Sequence, residues 1–336
     1  MISTKVSRVT GLVAGVIAST MMSATVTLAQ DYKLTFSTYL PPSYEYVVAP
    51  IQAFADRVAE RTEGRVEIEI FDSGQLFSGS EELGAVERGD IDMSAPMDIY
   101  YTGLIPELGV SSLPFMWDSP ESLQATIDAG LWDLGIKQKL EDHNLVLLSV
   151  AVNGPYQVYS NGFAVTSPAD IKGKKWAVSG STASKAVELM EGAPTTMSSG
   201  ELYLALQRGT IDGTTRPFLT GLGRQLYEVA DNLTITNLSY FTNFLVVNKD
   251  SWDELPEEIQ VIITEEADKR GAEQLEYLNA YLAEAVTKQK DAGMTVNTLD
   301  DSQRAAFQDA VAPLYDWWEG QVENGAEMVQ FARENK

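Results

Sequence analysis

The chain has 336 residues, 44% of them apolar, and 48 acidic against 24 basic side chains for a formal net charge of −24. That composition supports a large core in about two domains and argues against nucleic acid, whose affinity comes from Lys and Arg displacing counterions. The absence of cysteine and the single histidine, His143, remove disulfides, thiolate nucleophiles, Cys-based zinc sites and two-histidine metal motifs, so no cofactor and no metal is expected.

Residues 1–29 read as an export signal. Lys5 and Arg8 supply positive charge, a mostly apolar stretch runs from Leu12 to Met22, and Thr27-Leu28-Ala29 offers a cleavage site after Ala29. The remaining chain is expected to be soluble and periplasmic. Lys33 to Ser37 alternates as a strand and is stopped by Leu40-Pro41-Pro42. Ile51, Phe54, Ala55 and Val58 then recur at helical spacing, and Val66 to Phe71 alternates again. Strand, helix and strand in that order predict a parallel pair. Further on, the pattern predicts a helix over 81–87, a strand over 91–94, one helix over 123–140 and an apolar strand over 145–152.

After Asn153-Gly154 the pattern restarts with strands at 156–159 and 175–178 and helices at 183–190 and 201–207. Another apolar strand covers 244–247. Pro256 to Ala292 carries one interior breaker, Gly271, and predicts a helix of about 37 residues, near 55 Å long. Such a length exceeds one small domain. Asp300-Asp301 is placed to cap a following helix.

These elements carry an ordered set of motifs: Leu40-Pro41-Pro42, Gly64-Arg65-Val66, Gly89-Asp90-Ile91-Asp92-Met93, Leu113-Pro114-Phe115, Asp170 to Lys175, Gly200 to Gln207, Ile211-Asp212-Gly213 and Leu226-Tyr227-Glu228-Val229. In order and spacing the chain resembles the substrate-binding proteins of TRAP transporters, the DctP-like family. The resemblance implies an α/β, two-lobe periplasmic binding protein fold with an interlobe cleft and a long helix spanning both lobes. One lobe would hold 30–153 plus about 242–281, the other 154–241 plus about 282–336. It implies capture of a small-molecule solute without catalysis and delivery to the TRAP membrane permease subunits, by a protein expected to be a monomer.

Several positions depart from the family's pattern. The arginine that usually clamps a substrate carboxylate falls at Ala177, and a second arginine of acid-sugar members falls at Tyr156. The Glu-Asn pair after Asp-Gly becomes Thr215-Arg216, and a common aromatic becomes Ser199. If Ala177 faces the cleft, strand alternation turns Trp176 into the lobe core. Two readings of Arg216 stay open: it replaces the lost charge from the facing loop, or it lies outside the cleft and pairs with surface acids. Loss of arginine and gain of tyrosine slightly favour a small amine or amino alcohol, attracted to aromatic faces and a carboxylate. Tyr156, Tyr101 and Phe241 would form the faces, Asp98 and Glu45 the counter-charges, and Asn243 completes the candidate set. The alternative ligand is a small carboxylate or sulfonate on Arg216. An exported carboxylate-based hydrolase and a sensor or adhesion subunit are the remaining functional alternatives, the first weakened by the lack of an ordered acid pair.

Overall fold

A computed structural model describes residues 31–336; the export-signal reading lies outside the described residues. The strands are β1 (Tyr32–Ser37), β2 (Val66–Phe71), β3 (Met93–Ser94), β4 (Leu145–Asn153), β5 (Tyr156–Ser160), β6 (Lys175–Val178), β7 (Ala193–Thr196), β8 (Gly213–Pro217), β9 (Asn232–Ile235), β10 (Phe241–Asn248) and β11 (Thr295–Thr298). They form two sheets, ordered β2-β1-β3-β10-β4 and β11-β9-β5-β8-β6-β7. β1 and β2 pair in parallel, with helix Glu45–Arg61 as their crossover, as the alternation of 33–37 and 66–71 predicts. Each half is thus α/β, with helices covering the faces of a mixed sheet.

The chain passes between the sheets at two adjacent points. β4 ends at Asn153 and β5 begins at Tyr156. On the return, β10 starts at Phe241. These crossings are tied together: the Tyr156 amide donates to the Ser239 carbonyl at 2.8 Å, and the Leu238 amide donates to the Tyr156 carbonyl at 3.1 Å.

The third connection is the helix Glu257–Asp291, 35 residues long, which packs on β4 of the first sheet and reaches β11 of the second. Its interior Gly271 has a packing reason. A Cβ there would stand 2.9 Å from the Val150 carbonyl, so glycine lets the helix approach β4 closely. Pro256 precedes the first turn, where Glu257 and Glu258 face the orphan N–H groups, and Lys288 and Lys290 sit in the last turn, matching the helix dipole.

The helix expected over 123–140 is broken in two. Pro120–Asp128 and Ile136–Asp142 are separated by Gly130 and Gly135, whose φ values of +107° and +114° leave the right-handed helical region. Asp300 caps the helix Asp301–Val311 with a capping box through Gln303. The C-terminal helices touch both halves: Pro313–Glu319 packs on helix Gly180–Leu189, and Gly325–Asn335 on helix Pro120–Asp128.

Candidate functional site

Arg216 sits near the C-terminal end of β8, an interior strand that runs parallel to β6. The carboxyl ends of parallel strands are where open α/β sheets bind ligands. Only 2% of the residue is exposed. Its guanidinium turns onto the end of β6: Nη2 donates to the carbonyls of Met197 at 2.9 Å and Val178 at 3.2 Å, and Nη1 to the Thr215 carbonyl at 3.1 Å. Nε is buried without a partner, and among the described residues no carboxylate lies within ion-pair distance of this side chain. A buried charge without a counter-ion is costly. Arg216 therefore carries a positive charge met only by the dipoles of three backbone carbonyls.

It faces a cavity walled by both halves of the molecule. Tyr39, Tyr44, Met97, Tyr100 and Phe241 come from the first half, and Tyr156, Ser179 and Ser199 from the second. The Tyr156 and Phe241 rings meet with centroids 5.0 Å apart, and Tyr39 meets Tyr100 edge-on at 5.7 Å. Burial raises the Tyr156 phenol far above its ordinary range, with Arg216 opposing that shift, so the hydroxyl is neutral and able to donate. A second cavity shares Ile99, Tyr156 and Ser179 with the first and extends along helix Gly180–Leu189.

Of the eight candidate residues, the structure brings Tyr156, Arg216 and Phe241 together at the first cavity. The surface-pairing reading of Arg216 is overturned by its burial. Asp98 is fully buried but turns away while its neighbours Met97 and Ile99 line the cavity. Its Oδ2 accepts from Ser111 Oγ at 2.6 Å, from Thr242 Oγ1 at 2.6 Å and from the Thr242 amide at 2.9 Å. Burial pushes its carboxyl up to about 7 against those hydrogen bonds.

The other four lie elsewhere. Tyr101 is a structural clamp, with its hydroxyl donating to the Gly79 carbonyl at 2.7 Å and accepting from the Leu83 amide at 3.0 Å; Tyr100 takes the cavity position instead. Asn243 belongs to an internal network with Asn153 and Gln274 against the long helix. Glu45 is exposed at a helix start, and Tyr44 beside it lines the cavity. Ala177 does not face the cleft. It packs in the second half's core with residues such as Tyr159, Leu202 and Leu206. Trp176 is buried too, its indole donating to Thr215 Oγ1 at 2.9 Å.

Sequence reasoning missed Tyr39, Tyr44, Tyr100 and Ser179. Three of them had a usable signal. Tyr39 and Tyr44 flank the turn after β1, and Ser179 follows β6, both at the carboxyl ends of parallel strands. His143 lies in a turn with Nδ1 3.0 Å from Glu87, and Asp92 bonds the Thr35 amide and Ser251, as a strand cap does.

Residues 36–321 match the model of the bacterial extracellular solute-binding proteins, family 7, also called DctP. The chain belongs to this family. It is one of the TRAP-type solute-binding proteins. A solute-binding protein of Chromohalobacter salexigens is 31% identical over 82% of this chain and 81% of its own length. The 2,3-diketo-L-gulonate-binding periplasmic protein YiaO of Escherichia coli is 28% identical over 90% of this chain and 91% of its own. Among solved structures, a TRAP periplasmic solute-binding protein from Chromohalobacter salexigens with bound D-glucuronate is 27% identical. It superimposes with a TM-score of 0.84, covering 91% of this chain and 100% of that one. These likenesses carry the two-lobe fold and the solute-binding class of this TRAP receptor.

Proposed function

We propose that this receptor captures a small organic anion, taking its carboxylate on Arg216, and delivers it unchanged to TRAP permease subunits in the membrane. The observation that carries this reading is the buried Arg216, which lines a cavity walled by both halves and whose Nε has no partner. A ligand carboxylate there gains a charge-assisted hydrogen bond and relieves the cost of the lone buried cation. Ser179 and Ser199, buried hydroxyls without partners at the same cavity, supply further donors. The ligands named for the relatives, diketogulonate and glucuronate, are carboxylates as well.

The amine reading has lost its support. It needs a carboxylate at the aromatic wall, but Glu45 is exposed, and Asp98, bonded through Oδ2 to Ser111 and Thr242 with Oδ1 buried and unpartnered, does not line the cavity. The receptor acts without covalent chemistry, as a monomer, in the periplasm after removal of residues 1–29. Its lobes divide at the two crossings, 30–153 with about 242–281 and 154–241 with about 282–336; the strand order supports this as far as β11, whereas the helix Gly325–Asn335 packs on the first half.

Melting the exported chain in the presence of carboxylates, sulfonates and amines tests the reading. A ligand that binds only the folded form stabilises it by about 4.1 kcal/mol at a thousand-fold excess over Kd. Stabilisation by carboxylates is expected; stabilisation by amines alone would overturn it.

A further inference from the structure

The two cavities differ in a way that narrows the ligand class, provided that Arg216 is the anion anchor proposed for it. Arg216 alone is charged among the described residues lining either cavity. The first cavity thus offers one cation for one carboxylate. The second is walled mainly by hydrocarbon: Ile99, Pro114, Ala186, Val187, Met190 and Leu238. Two of its hydroxyls have protein partners, Ser112 donating to the Gly109 carbonyl and Thr215 accepting from the Trp176 indole, while Ser179 and Thr182 are buried without partners and offer uncharged donors only. A second carboxylate placed there would lose its hydration and find no cation.

We infer that the ligand is a monocarboxylate whose uncharged, largely hydrocarbon body lies in the second cavity against helix Gly180–Leu189. The carboxylate sits by Arg216, Ser179 and Ser199, and the chain passes Tyr156 and Ile99, which line both cavities. Apolar surface is removed from water as the body lengthens, so affinity rises with each methylene until the cavity is full. A dicarboxylate of equal length gains the first contact and forfeits the second.

Calorimetric titration of the exported chain with propanoate, butanoate, pentanoate, hexanoate, succinate, glutarate and glucuronate tests this. Kd should fall about four-fold per methylene along the monocarboxylates. Glutarate should bind at least about ten-fold more weakly than pentanoate, its monocarboxylate counterpart of equal carbon number. Ala186→Leu, which fills the second cavity without touching Arg216, should weaken hexanoate strongly and leave propanoate nearly unchanged. A flat monocarboxylate series, or succinate, glutarate or glucuronate binding more tightly than pentanoate, overturns the inference while leaving the anion site intact. No binding of any carboxylate, with amines bound instead, overturns both.

Discussion

Tyr156 opens β5 in the second sheet and packs its ring on Phe241, which opens β10 in the first, with centroids 5.0 Å apart and planes at 57°. The pair stands where the chain crosses between the halves, and both rings line the arginine cavity. One contact therefore joins the crossing to the ligand wall. Tyr156→Ala should cost about 3–5 kcal/mol of stability, as for a buried aromatic truncated to a cavity, and abolish binding. Tyr156→Phe keeps the ring contact and should retain most of the stability while weakening carboxylate binding. Urea unfolding and titration of both variants separate the two effects.

Helix Gly180–Leu189 packs against the first half. The Ser181 amide donates to Thr102 Oγ1 at 3.0 Å, and Gly180, with φ of +77°, faces the Ile99 carbonyl. A Cβ on Gly180 would stand 2.2 Å from that oxygen. Gly180→Ala should hold the halves apart, raising Kd by ten-fold or more. X-ray scattering should show the variant more open than the parent at saturating ligand; an equally compact variant would contradict the contact.

Asp98 makes stability depend on pH. In an unfolded chain an aspartate ionises near pH 3.9, whereas here burial holds the proton up to about pH 7. Between those values the folded state binds more protons than the unfolded one. Its contribution is full below about pH 4 and lost as pH rises to about 7, worth up to about 4 kcal/mol. Asp98→Asn imitates the protonated form and should flatten that part of the profile. Urea midpoints measured from pH 4 to 8 check it.

Glu266 acts in the opposite sense. From the long helix it meets Arg57 at 2.6 Å, Lys269 at 2.6 Å and Arg61 at 2.8 Å. Desolvation raises its carboxyl, but hydrogen bonds from Lys269, Arg61 and Arg57 outweigh that and bring it down to about 2. Its stabilisation is present above about pH 4.5 and lost as pH falls towards 2. Glu266→Gln should cost about 2–3 kcal/mol at neutral pH, less than a fully buried pair because the Arg heads still touch water. The loss should vanish near pH 2 in the same unfolding experiment.

Period and punctuation made much of the fold legible. Alternation at 66–71 gives β2, helical spacing from Ile51 gives the crossover helix, and the unbroken run after Pro256 gives the long helix. The single helix expected over 123–140 failed because Gly130 and Gly135 take positive φ. The candidate site was legible where a residue departed from the family's pattern: Thr215-Arg216 in place of Glu-Asn drew attention to that charge, while the buried strand Gly213–Pro217 that carries it was not read. Rotation was not legible. In the 3-10 turn Asp98–Tyr100 and its flank, neighbouring residues point in different directions, so Tyr100 reaches the cavity while Asp98 and Tyr101 turn into the protein. Alternation along β6 gives the faces of Trp176 and Ala177 relative to each other, but not which one meets the cleft.

The most direct test is calorimetric titration of pentanoate into the exported chain and into Arg216→Gln, which keeps a polar side chain but removes the charge. Saturable binding by the parent and at least a hundred-fold loss in the variant, at unchanged unfolding midpoint without ligand or a higher one, is the predicted result. Equal affinity in both proteins would contradict the assignment of Arg216 as the anion anchor.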